Sequence, residues 1–182
     1  DLGNIQAGQK ILIYGASGGI GTYAVQLAKY FGADVTGVCS SANLAMVLSL
    51  GVDKVIDYTQ EDFTSNAETY DLILDAVGKT SFSRCRNALT PTGVFLPVVM
   101  GLSEIVQIIL TSIFGSKKIK GGVAAERVAD LEFLKKLIED GQLKPVIDRC
   151  YPLGQTAEAF RYVERGHKKG NVVIKVVSKK EK

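Results

Sequence analysis

Apolar residues along this chain fall into short runs separated by amphipathic stretches. Lys10–Tyr14, reading KILIY, is one such run; it ends at a cluster of glycines and predicts a first strand. From Ile20 the spacing changes. Ile20, Ala24, Leu27, Ala28 and Phe31 recur at helical intervals, and Gly32 stands where a left-handed cap would end the helix. The alternation then continues. Strands are expected at 35–38, Lys54–Asp57, Tyr70–Asp75, 93–99 and 119–123, and helices at 43–50, 81–89, 103–114 and 128–140. Ser103 is the expected cap of the fourth helix, and Leu131, Leu134, Leu137 and Ile138 are the expected inward face of the fifth. Strands that are apolar nearly throughout and alternate with helices belong to a parallel sheet covered on both faces. The expected class is α/β, a Rossmann doubly wound sheet of six parallel strands. After Gly141 the rhythm changes to a strand within 144–153, a helix at 155–165 and a strand at 172–177. The expected division is a Rossmann domain over 1–144 and a C-terminal strand-helix-strand segment over 145–182.

The stretch Ile13-Tyr14-Gly15-Ala16-Ser17-Gly18-Gly19-Ile20-Gly21 joins the first strand to the first helix. A helix N-terminus carries unpaired N–H groups and a partial positive charge, and glycines there let a pyrophosphate approach the backbone. Aligned on Gly21, the loop is a G-x-G-x-x-G fingerprint with Ala16 at its first position. A P-loop is excluded, because no Lys precedes Thr22. The loop Gly15-x-x-x-Gly19-x-Gly21 also fits a short-chain dehydrogenase. None of the seven tyrosines is followed four residues later by the Lys that family needs, however. A methyltransferase would place an acid at the end of strand two, where Val38-Cys39-Ser40-Ser41 stands instead.

That position also separates the two nicotinamide coenzymes, since an acid there bonds the ribose hydroxyl and repels a 2′-phosphate. Asp34 lies at the other end of the strand. Ser40, Ser41 and Asn43 are small neutral donors that could border a 2′-phosphate; they could equally cap the following helix. No Lys or Arg occurs between Lys29 and Lys54, so the loop has no cation of its own. The missing acid makes NADP(H) the expected cofactor over NAD(H).

Composition narrows the class. The chain has 182 residues, 46% of them apolar, and a net charge of +3 with scattered basic residues. It is therefore globular, with no basic groove for nucleic acid. Cys39, Cys85 and Cys150 are widely spaced and the only histidine is His167, so no zinc spacing is present. Few unpaired cysteines suggest reduced thiols and a cytoplasmic protein. The longest apolar stretch, 105–114, is too short to span a bilayer, so no membrane partner is expected.

Four stretches taken together resemble the quinone-oxidoreductase-like branch of the medium-chain dehydrogenase/reductase superfamily, with its zinc-type alcohol dehydrogenase-like cofactor-binding domain. They are GQKILIYGASGGIGTYAVQLAKYFGADVTGVCSS, SLGVDKVIDY, YDLILDAVG and LIEDGQLKPVIDRCYPLGQTAEAFRYVERGHKKGNVVIKV. The resemblance implies that Gly18, Gly19 and Ile20, with Ser17 beside them, lie under the pyrophosphate. It implies that Ser40, Ser41 and Asn43 border the 2′-phosphate, and that Tyr58 reaches it. Read alone, Tyr58 is an edge-strand aromatic. Ala76, Val77 and Gly78 would line the cofactor, Val98 and Val99 would pack near the nicotinamide, and Gly170 and Asn171 would touch the cofactor from the C-terminal segment.

The chain departs from the family at Ala42-Asn43, where a basic residue is usual, and at Asn171, where Lys is usual. Lys168 and Lys169 are the cations nearest in sequence to compensate; otherwise they are a solvated turn. The implied reaction is hydride transfer from NADPH to a quinone or an α,β-unsaturated carbonyl, on a small-molecule substrate and in a homodimer formed through the sixth strand. The alternative is a non-catalytic NADPH-binding sensor or partner-binding module. The family's GroES-like domain would precede Asp1. With no Met at the start, the expectation is an excised piece, inactive without that domain, whose residues after 144 would pack on it. No catalytic residue is assigned.

Overall fold

The computed structural model describes residues 3–122 and 127–176, leaving out the side chains at 103 and 114. Six strands form one sheet: β1 (Lys10–Tyr14), β2 (Asp34–Cys39), β3 (Lys54–Asp57), β4 (Tyr70–Asp75), β5 (Leu89–Pro97) and β6 (Lys118–Ile119). Their spatial order is β3-β2-β1-β4-β5-β6, and every pairing is parallel. This is the Rossmann order, with its reversal between β1 and β4. The linking helices are α1 (Gly19–Tyr30), α2 (Leu44–Ser49), α3 (Phe82–Cys85), α4 (Leu102–Phe114) and α5 (Val128–Glu139).

The continuous apolar character of the strands has a direct cause. Successive side chains point to opposite faces, and both faces are covered. In β1, Ile11 and Ile13 join Val25, Ala28 and Val35 in one buried cluster. Leu12, between them, joins Val38, Ile56, Ile73 and Phe95 in the cluster on the other face.

Several elements differ from expectation. β5 begins at Leu89 rather than 93: Leu89 pairs with Tyr70, and a register shift separates that pair from Leu72–Val94. The helix expected over 81–89 is therefore short. It is capped by Ser81, which accepts the Arg84 N–H at 3.4 Å, and ends in a 3₁₀ turn at Arg86–Ala88. α4 starts at Leu102 with Gly101 as its cap position, and Glu104 accepts the Gly101 N–H at 2.8 Å. Ser103 thus lies inside the helix and is not its cap. β6 stops at Ile119, where Gly121 and Gly122, poor strand formers, follow within two residues; Val123 lies outside the described residues. In α5 only Leu137 is buried, while Leu131 and Ile138 are exposed. The α5 face expected to turn inward instead borders a cleft.

The C-terminal segment forms β7 (Ile147–Pro152), α6 (Thr156–Glu164) and β8 (Asn171–Lys175), with β7 and β8 pairing in parallel as a separate two-stranded sheet. Val177, included in the expected last strand, lies outside the described residues. This segment is tied to the larger sheet's first helix. The Gln26 amide donates to Lys144 O at 3.0 Å and accepts the Lys144 N–H at 2.8 Å.

Candidate functional site

The loops at the carboxyl ends of β1, β2, β4 and β5 meet at the reversal of strand order, the place where such sheets bind ligands. Gly15 has φ +84°, which only glycine adopts readily, and a Cβ there would strike the Val77 side chain. Gly21 lets α1 lie against the strand end, because a Cβ would collide with Gly15 O and fall 2.8 Å from Ala16 Cα. Gly18 is the cap position of α1, and the Thr22 N–H is the first to bond back, to Gly18 O at 3.0 Å. The N–H groups of Gly19, Ile20 and Gly21 are therefore those the helix leaves for a ligand.

The other walls are held by backbone chemistry. Asp75 is buried, and its carboxylate accepts N–H bonds from Val77 (2.9 Å), Gly78 (2.8 Å) and Thr80 (3.1 Å). It shapes the loop carrying Ala76, Val77 and Gly78. Val99, past the end of β5, packs on Gly78, and Val98 donates its N–H to Asp75 O at 3.0 Å. Val77, Val98, Val99 and Ile20 are all large and exposed, so they present apolar surface to the crevice.

Ser17 accepts from the Asn43 amide at 3.2 Å, and Ser40 accepts from it at 3.1 Å, which joins the glycine loop to the loop after β2. Ser41 is differently engaged. Its hydroxyl donates to Asp57 at 2.5 Å, and Thr59 donates to the same carboxylate by N–H (2.9 Å) and hydroxyl (2.7 Å). The bond from Ser41, ahead of those from Thr59, holds the Asp57 carboxyl below its usual value. An acid does stand at this end of the sheet, then, contributed by β3 rather than β2. Tyr58 follows it, exposed, its N–H on Cys39 O at 3.1 Å.

From the C-terminal segment, Gly170 donates its N–H to Ser17 O at 2.8 Å. Lys168 Nζ donates to Gly170 O at 2.7 Å and lies 3.1 Å from where a Gly19 Cβ would be. Asn171 binds Val146 O at 3.1 Å and Tyr23 Oη at 3.3 Å. Lys169 Nζ donates to Ala42 O at 3.2 Å. Both lysines are half-buried, so the turn is not a freely solvated one. Next to this junction runs a cleft of about 840 Å³, bordered by Ile20, Tyr23, Leu27, Leu134 and Ile138. Of the apolar face of α1 noted in the sequence, Ile20, Ala24 and Leu27 line this cleft, while Ala28, with Val25, is buried against the sheet.

Of the residues expected at the site, Gly19, Ile20, Ala76 and Asn171 border this cleft, and hydrogen bonds tie Ser17 to Asn43 and to Gly170, while Tyr58 lines a separate, smaller pocket with Tyr14, Phe63 and Arg84. Asp57 and Gln26 were not foreseen. The Asp in VIDY precedes Tyr58 directly, but its reach to Ser41 depends on the β2–β3 register, Cys39 opposite Asp57.

Burial, aided by Asp57, pushes the Cys39 thiol up to about 11, and His167 is exposed. Among the described residues no three His, Cys, Asp or Glu side chains are grouped to hold a metal ion.

Residues 50–174 match the family model described as zinc-binding dehydrogenase. The chain belongs to the medium-chain dehydrogenase/reductase superfamily, in its quinone-oxidoreductase-like branch. It is 36% identical to the mouse (Mus musculus) protein named NAD(P)H oxidoreductase RTN4IP1, mitochondrial, over 93% of this chain and 48% of that one. It is 34% identical to the Arabidopsis thaliana protein named NADPH-dependent alkenal/one oxidoreductase, chloroplastic, over 92% of this chain and 41% of that one. The structure of the quinone oxidoreductase from Coxiella burnetii superposes with a TM-score of 0.85 at 28% identity, over 96% of this chain and 55% of that one. The chain thus spans about half the length of the relatives it matches. The mitochondrial and chloroplastic relatives overturn the cytoplasmic expectation. That expectation rested on few unpaired cysteines, which report a reducing setting and not a particular compartment.

Proposed function

We propose that this chain is the coenzyme-binding part of an oxidoreductase that transfers hydride from NADPH to a quinone or an α,β-unsaturated carbonyl. The observation that carries the reading is the α1 N-terminus. Three helix N–H groups and the Lys168 ammonium converge on one glycine-lined spot, which matches a pyrophosphate in charge and in close approach. The nicotinamide supplies the hydride chemistry when bound. The chain's own part is to orient it. Ala76, Val77, Gly78, Val98 and Val99 form the apolar wall beyond the pyrophosphate, and the three N–H bonds to Asp75 keep that wall in place. In this reading the substrate pocket is completed by a GroES-like domain outside this chain. The relatives' names support the cofactor class and the acceptors: NAD(P)H for one, NADPH and an alkenal/one for the other.

A non-catalytic NADPH-binding module is favoured by one observation. The crevice's buried acid, Asp75, is fully engaged by backbone N–H groups and has no free role as an acid or base. The test is an NADPH oxidation assay on the intact protein with a panel of quinones and enones. Turnover with members of the panel supports the reductase. Tight NADPH binding with no turnover on any acceptor supports the module.

A homodimer through the sixth strand is part of the same proposal. β6 is an edge strand, and α4, whose Thr111 hydroxyl accepts the Ile119 N–H at 3.2 Å, exposes Leu102, Ile109 and Ile113 next to it. Sedimentation of the intact protein should give a dimer; a strict monomer contradicts it.

A further inference from the structure

The loop after β2 has no Lys or Arg, and position 171 is Asn, so the two spots where a dinucleotide places its phosphates are without a local cation. The Lys168-Lys169 turn reaches both. Lys168 lies over Gly19 at the α1 N-terminus, while Lys169 crosses to the Ala42 carbonyl, next to Ser40 and Asn43. Each ammonium has three N–H donors, and the carbonyl bond described for each uses one of them. Among the described residues, neither forms an ion pair with a carboxylate. The turn itself is pinned at its base: Asp148 accepts the Lys169 N–H at 3.1 Å and the Tyr162 hydroxyl at 2.5 Å.

We propose that Lys169 is the residue that selects NADP(H) in this chain, a cation brought from the C-terminal turn to the loop after β2, while Lys168 serves the pyrophosphate common to both coenzymes. This rests on the reading that the crevice holds a nicotinamide dinucleotide. The charge arrangement sharpens it. A 2′-phosphate held at the loop after β2 would draw on Lys169, bonded to Ala42 O, and would be opposed by the Asp57 carboxylate, held by Ser41. With Lys169 removed the acid is left without an opposing cation, and the preference for NADPH should fall.

The test is fluorescence titration of the intact protein with NADPH and with NADH, using wild type, Lys169→Met, Lys169→Arg and Lys168→Met. Lys169→Met should lose about tenfold or more in NADPH affinity, the loss of one charge-assisted bond, with NADH affinity changed by less than about twofold. Lys169→Arg should keep the preference, and Lys168→Met should weaken both coenzymes. Equal weakening of both by Lys169→Met, or no change in either while wild type binds, overturns the assignment alone. Wild-type protein that binds neither coenzyme overturns the assignment and the underlying reading together.

Discussion

Gly21 is where a single atom has the largest effect. Gly21→Ala places a methyl group on Gly15 O and Ala16 Cα, both backbone and unable to turn aside. The helix must back away from the strand end, at a cost of about 1–3 kcal/mol. A lowered melting temperature together with lost coenzyme binding is the expected result. Asp57 gives a test of the opposite sign. Asp57→Asn removes the acid at the end of β3 that bonds Ser41, while leaving an acceptor for that hydroxyl, so NADPH should bind more tightly and NADH little differently in the same titration. The glycines were legible in the sequence, because only a close backbone approach explains so many of them between a strand and a helix. The part played by Asp57 was not, since the sequence shows an acid after β3 but not which hydroxyl it faces.

Among the elements, α1 has the most to do. Its N-terminus faces the crevice, Val25 and Ala28 face the sheet, and Gln26 holds the chain at Lys144. Gln26→Ala leaves a backbone N–H and C=O without partners and should cost about 1–3 kcal/mol. It should also loosen the C-terminal segment from the glycine loop, seen as faster amide exchange at Gly170.

The junction of α1 with β2 and β3 depends on pH. Burial alone would raise the Asp53 carboxyl. Hydrogen bonds from Lys29 (2.7 Å) and the Val35 N–H (2.7 Å) outweigh it, and the group titrates below its usual value. A carboxyl lowered on folding stabilises the protein above its unfolded value near pH ~4, and the stability is lost as pH falls through the folded value. Both partners are partly exposed, so the effect is about 0.2–1 kcal/mol. Melting curves should show it as a decline below pH ~4 that Asp53→Asn flattens.

The strands β1 and β4 could be read from the sequence because burial on both faces makes them apolar nearly throughout, while β3, at the sheet edge, shows only Val55 and Ile56 between charged residues. The start of β5 could not: Leu89 joins the sheet across a register shift that no periodicity records. The α5 face misled for a related reason, since apolar spacing reveals a helix but not whether a cleft lies beside it.

At the scale of the whole molecule, the strand order 3-2-1-4-5-6 gathers residues from four loops, and the C-terminal segment docks on the loops after β1 and β2. The parallel pairing of β7 with β8, and the Lys169–Ala42 contact across 127 residues, lay beyond any local pattern. The alternation of apolar runs and helices did suffice to foresee the doubly wound sheet, because that sheet needs just such strands. The central claim is that this arrangement holds a nicotinamide dinucleotide by its pyrophosphate at the α1 N-terminus. Titrating the intact protein with NADPH and NADH, following nicotinamide fluorescence, tests it most directly. Saturable binding of both, tighter for NADPH and weakened for both by Lys168→Met, is the predicted result. No binding of either coenzyme would contradict it.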